Sequence, residues 1–75
     1  MNTVPYLVLE PREDGYALIK YKPSLTVPGK IYKELIALFR NEPDGTITRT
    51  LTYKGFPNLN FASIEAVKDY YGMEV

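Results

Sequence analysis

The segment between Pro28 and Pro43, GKIYKELIALFRNE, constrains the fold more than any other, because it supports two incompatible backbones. On a helix at about 100° per residue, Ile31, Tyr32, Leu35, Ile36, Leu38 and Phe39 fall within an arc of roughly 160°, leaving Lys30, Lys33, Glu34, Ala37 and Arg40 for the remainder. On a strand, Lys33 shares a face with Ile31, Leu35 and Phe39, while Lys30, Glu34 and Arg40 share the other with Ile36 and Leu38. Charge then enters both faces. Lys, Glu, Leu, Ala and Arg favour helix, Pro28 suits a first turn, and Pro43 stops the pattern where it ends. The expectation is a helix from about 29 to 41. The alternative is the first arm of a hairpin closing over Asn41-Glu42-Pro43-Asp44-Gly45.

Residues 4 to 10 and 16 to 22 are short apolar runs rich in β-formers, joined by Pro11-Arg12-Glu13-Asp14-Gly15, which has the chemistry of a tight reversal. Residues 46 to 54 alternate threonine with Ile47, Arg49, Leu51 and Tyr53, the pattern of a third strand. Gly55 and Pro57 break it, and FPNLNF follows as an irregular loop. Ser63 suits the N-cap of a last helix in which Ile64, Val67 and Tyr71 share a face, with Gly72 at C′ and Met73 folding back. The chain thus reads ββαβα. The expected fold is α+β, a small two-layer sandwich with a three-stranded, mainly antiparallel sheet in order 2-1-3 and two helices on one face. The hairpin alternative gives a four-stranded antiparallel meander plus a C-terminal helix. In the sandwich one sheet face stays uncovered. If Ile47, Leu51 and Tyr53 point inward with Ala17, Ile19 and Tyr21, that open face carries Thr46, Thr48, Thr50, Thr52 and Lys54, joined by Tyr16, Leu18, Lys20 and Lys22.

At 75 residues the expectation is one small domain, residues 1 to 75. The longest apolar runs, YLVL and LIALF, are far shorter than the roughly 20 residues of a membrane span, and the first residues lack a basic, signal-like start. A cytoplasmic protein with no membrane partner is expected. Nine basic residues balance nine acidic ones, yet residues 16 to 54 are basic by four and each flank is acidic by two. That neutrality argues against a polyanion as the main partner.

Chemistry is restricted by what is missing. The chain has no cysteine and no histidine, which removes thiol nucleophiles, imidazole bases and the commonest metal ligands together. Glu13 with Asp14, and Glu42 with Asp44, are acidic pairs in turns, where such residues serve the backbone. Glycines 15, 29, 45, 55 and 72 form no phosphate-binding loop. A non-enzymatic protein with neither cofactor nor metal is therefore expected. The leading function is a small protein–protein interaction module, an adaptor, inhibitor or accessory subunit. Its contact residues are Phe56, Leu59, Phe61 and Tyr70, with strand 46–54 as a free sheet edge open to a partner or a second copy. The alternative is a weak single-stranded nucleic-acid binder using Lys20, Lys22, Arg49 and Lys54 on a sheet face bearing Thr and Tyr.

Overall fold

The computed structural model describes residues 4–52 and 58–73. Five strands, β1 (Tyr6–Arg12), β2 (Gly15–Pro23), β3 (Ile31–Asn41), β4 (Ile47–Thr52) and β5 (Leu59–Phe61), precede one helix, α1 (Ile64–Tyr70). The strands form an antiparallel meander in the order β1-β2-β3-β4-β5. This overturns the ββαβα sandwich and its 2-1-3 order in favour of the meander with a C-terminal helix, extended by a fifth strand at residues 59 to 61. The strand expected at an edge, residues 46 to 54, is represented by β4, which lies between β3 and β5; the free edges are β1 and β5.

The segment expected to be helical is β3, for three physical reasons. First, its charged residues find cross-strand partners. Lys20 lies opposite Glu34 and Tyr21 opposite Lys33. Lys22 Nζ reaches Glu34 Oε2 at 3.1 Å, and Lys33 Nζ stands 5.5 Å from the Tyr21 ring centre. Such pairs stabilise a ladder by a few tenths of a kcal/mol to about 1 kcal/mol each and offset a weak helix propensity. Second, residues 31 to 35 are exposed on both faces, so charge on either face costs little. Third, the register shifts opposite Leu18 and Ile19, leaving Ile36 as an extra residue. This β-bulge resets the alternation, so strict period two fails across the segment. Pro43 serves a hairpin: Gly45 N–H donates to Glu42 O at 3.1 Å and Glu42 N–H to Thr46 O at 2.9 Å, with Gly45 at a φ of 90° that favours glycine.

The helix packs on one sheet face. Leu18, Ala37, Phe39, Ile47, Phe61 and Val67 make the core, with Leu7, Leu9, Tyr16, Ile64 and Tyr71 around it. Leu18 and Val67 are fully buried. The helix itself follows its sequence signals. Ser63 Oγ accepts from Ala66 N–H at 3.2 Å, Gly72 N–H donates to Asp69 O at 3.1 Å, and Met73 N–H donates to Lys68 O at 2.8 Å. Those last two bonds form a Schellman closure around Gly72.

The β1–β2 and β3–β4 turns sit together at one end of the sheet, where Asn41 N–H donates to Asp14 O at 2.7 Å. Gly15 makes that approach possible: a Cβ there would lie 2.0 Å from the Phe39 carbonyl oxygen. The constraint is space between two backbones. Gly15→Ala is expected to lower the unfolding free energy by about 3 kcal/mol, as overpacking does where a backbone must move. Urea denaturation checks this; an unchanged midpoint would show that the two strands separate freely.

Candidate interaction surface

Pairing partners in an antiparallel ladder share a face, so the register sorts the side chains. Leu18, Ala37, Phe39, Ile47 and Arg49 face the helix. Ala17 and Ile19 are also buried, yet neither belongs to the core under the helix. They lie on the opposite face, where among the described residues no element crosses the sheet. That face presents an apolar row running across the strands: Val8, Ile19 and Leu35 in one line, with Ala17, Leu38 and Leu51 in the next. Leu35 is 44% and Leu51 49% exposed. Leu51 reaches this face because a second bulge, at Thr50, turns it away from the side that carries Ile47 and Arg49.

The face assignment expected for β2 is therefore reversed. Tyr16 and Leu18 lie under the helix, and Ala17, Ile19 and Tyr21 lie on the open side. Thr46 and Thr48 do line the open side, where their hydroxyls accept from Asn60 Nδ2 at 2.9 and 3.1 Å and fasten β5 to β4. The open face thus has an apolar centre bordered by these hydroxyls and, by the same register, by Glu10, Arg12, Lys33 and Arg40. Alternation alone could have suggested this, since YLVL in β1 and ALI in β2 are apolar at both parities, the mark of a strand with neither face given over to solvent.

At the β1 side the apolar row ends in a polar and aromatic group. Tyr6 and Tyr21 stack with ring centres 5.4 Å apart, the Tyr21 hydroxyl donates to the Glu10 carboxylate, and Arg12 Nη1 lies 3.3 Å from Glu10 Oε1. The Tyr21 hydrogen bond holds the Glu10 carboxyl below its usual 4.5; desolvation opposes it, and Arg12 and Lys33 add smaller lowering contributions. The same bond, with desolvation and the Glu10 charge, raises the Tyr21 hydroxyl above 10.0. The two shifts agree in sign.

The arm at the far end is ordered and bears apolar residues. Beyond the reach of β1, β2 and β3 continue as a two-stranded ribbon closed by residues 24 to 30. Ser24 Oγ accepts from Thr26 N–H at 3.2 Å and Val27 N–H at 2.9 Å, and Ser24 N–H donates to Lys30 O at 2.8 Å. These bonds fix a tip on which Leu25 is 81% exposed, with Val27, Ile31 and Tyr32 about half exposed.

The residues expected to contact a partner are divided. Phe61 is core, 7% exposed; Leu59 and Tyr70 stand beside the β5 edge, Tyr70 at 57% exposed and edge-on to Phe61 at 5.3 Å; Phe56 lies outside the described residues. Among the cationic set, Lys20 and Lys22 share a face of the arm, Lys54 lies outside the described residues, and Arg49 is 7% exposed beneath the helix. Arg49 is not gathered with the lysines. Its Nη1 donates to the Tyr71 hydroxyl at 2.9 Å and its guanidinium lies 5.7 Å from the Tyr70 ring centre, while Nε has no hydrogen-bond partner. Desolvation works against this charge, but the Tyr71 and Tyr70 hydroxyls outweigh it and raise the guanidinium pKa.

Two outcomes follow from these geometries. Because the Glu10 pKa is depressed, its stabilisation is present above about 4.5 and is lost as pH falls through the folded value. In Tyr21→Phe the Glu10 carboxyl pKa should rise toward 4.5 and the acid-side loss of stability should shrink, measured by carboxyl NMR titration; an unmoved Glu10 would discount the bond. For Arg49, a buried cation with no carboxylate at ion-pair distance among the described residues, Arg49→Met should change stability by less than about 1 kcal/mol, because well-packed apolar contact replaces a charge held by hydroxyl hydrogen bonds alone. Arg49→Ala should cost about 2–4 kcal/mol through the cavity it leaves. Equal losses in urea for both would mean that the charge itself stabilises the fold.

Among the described residues, no helix is long and apolar enough to cross a membrane. Comparison of the chain with protein-family models, with curated proteins and with solved structures finds no match.

Proposed function

We propose that this protein is a small non-enzymatic interaction module, an adaptor, inhibitor or accessory subunit of the cytoplasm, that binds an apolar protein surface, of a partner or of a second copy, through the uncovered face of its sheet. The observation that supports this is the row of Val8, Ile19, Leu35, Leu38 and Leu51 across four strands, with no described element over it. An uncovered sheet face is ordinarily polar, and this one is polar only at its border: Leu35 and Leu51 are about half exposed at its centre, beside the buried Ile19. Contiguous apolar patches of a few hundred Å² mark contact sites in proteins of this kind. Burying apolar area returns about 25 cal/mol per Å², so a partner that completes the layer gains several kcal/mol. Leu59 and Tyr70 offer a smaller exposed pair on the helix side, and they serve as the comparison surface.

Affinity capture from the native source separates the two. Wild type and a Tyr70→Ala variant should retain the same partner in a fixed ratio, and Leu35→Asp should lose it by at least about tenfold, as loss of a central apolar contact does. Leu35 is outside the core, so circular dichroism should show the variant folded. Equal retention by Leu35→Asp and wild type removes the sheet face from the reading. The nucleic-acid alternative has one observation in its favour, Lys22 opposite Tyr32 and Lys30 5.3 Å from its ring centre, with Lys20 on the same face. Oligonucleotide binding that falls steeply with salt and is lost in Lys20→Ala with Lys22→Ala would favour it over protein contact.

A further inference from the structure

The arm and the turns at the opposite end of the sheet carry opposite charge. From residue 20 to residue 34 the arm and the strand ends that lead into it have Lys20, Lys22, Lys30 and Lys33 against Glu34 alone, an excess of three positive charges; Lys33 lies on the open side, and Lys20, Lys22 and Glu34 on the side of the helix. The two hairpin turns and the strand ends that enter them have Glu13, Asp14, Glu42 and Asp44 against Arg12 and Arg40, an excess of two negative charges, while Glu10, hydrogen-bonded to Tyr21, lies between the two ends. The sequence scatters these residues; the meander collects them at two ends of a molecule 45 Å long. Much of the charge is also free to pair. Arg12 and Arg40 are engaged with Glu10 and Glu42, whereas Glu13 and Asp14 are in no ion pair among the described residues. Lys30 and Lys33 stand over the Tyr32 and Tyr21 rings and likewise pair with no carboxylate there. Between the two poles lies the apolar open face.

We propose that the layer covering this face is a second copy of the chain, packed face to face and antiparallel about a two-fold axis, so that the basic arm of each copy lies against the acidic turns of the other. This rests on the reading of the open face as the contact surface and names its occupant. Antiparallel packing satisfies both poles of both copies at once, whereas parallel packing puts like poles together. A head-to-tail chain joins poles but leaves the apolar face bare. Whole-chain neutrality removes the repulsion that opposes self-association. The area reaches the threshold: strands of three to eleven residues at about 4.8 Å spacing present roughly 500 Å² in projection, hence on the order of 1,000 Å² for the pair, where biological interfaces begin. Two such sheets, about 10 Å apart, make a closed β-sandwich with helices outside.

Sedimentation equilibrium, with circular dichroism as the folding control, tests this. Wild type should have the mass of two chains and Leu35→Asp that of one. Lys30→Glu with Lys33→Glu, and separately Glu13→Lys with Asp14→Lys, should each weaken association by about tenfold or more. An equal mixture of those two double variants should recover the two-chain particle, because each arm then meets an end of opposite sign. A wild type of one chain at every concentration, a mass that grows without limit, or a mixture that fails to recover would each overturn the proposal. If wild type is one chain and Leu35→Asp still loses a different captured protein, the contact face stands and its occupant is not this chain.

Discussion

The pairing of β2 with β3 is the constraint on which the rest of the molecule depends. It is the longest ladder in the sheet, from Gly15 opposite Arg40 to Pro23 opposite Ile31. Once residues 31 to 41 are extended, Pro43-Asp44-Gly45 has to turn the chain back, β4 falls beside β3, and a short β5 is placed so that α1 can reach the core. One helix then has to cover a sheet of five strands. It covers only one side, so the open face follows directly from the ladder.

The bulges refine that outcome. In a strictly alternating β3 and β4 the apolar residues would divide by parity, and Lys33 would share a face with Phe39. With Ile36 and Thr50 as extra residues the phase changes twice, so Phe39, Ile47 and Arg49 gather under the helix while Leu35, Leu38 and Leu51 gather outside. The helix side consequently receives the one awkward group, the Arg49 guanidinium. It is held by two tyrosines near the C-terminal end of α1, where backbone carbonyls favour positive charge.

Local signals were legible wherever the chain decides its own geometry. The Glu13-Asp14-Gly15 reversal, the Ser63 cap and the Gly72 closure of the last helix all appear where their residues imply. What could not be read was set by partners distant in sequence. The apolar stripe from Ile31 to Phe39 suits a helix in isolation, and only the cross-strand presence of Lys20, Tyr21 and Lys22 makes Lys33 and Glu34 acceptable in a strand. The choice of face in β2 failed for a related reason, since Ala17, Ile19 and Tyr21 are as apolar as their neighbours and no local rule says which set a helix 45 residues later will cover. Of the residues expected to form a contact site, Leu59 and Tyr70 are exposed, but Phe61 was claimed by the core because β5 pairs with β4 and points it at Ile47. Surplus aromatic residues in a small domain go to the core first.

The division of charge extends the same argument beyond a single element. A composition of nine cations and nine anions implies no field, and blocks along the sequence imply only a basic middle. Folding turns that middle into an arm and brings residues from two separate hairpin turns to the other end, so polarity is a property of topology. Apolar residues between the poles are then exposed for a reason that local packing does not supply. Among the described residues five strands make the sheet and α1 covers its other side, so no described element covers this face. On the proposed contact, stability is coupled to association: an occupant that binds the folded face and not the unfolded chain raises folding stability with its concentration. The proposed contact and folding would then be one equilibrium, governed by the same apolar row.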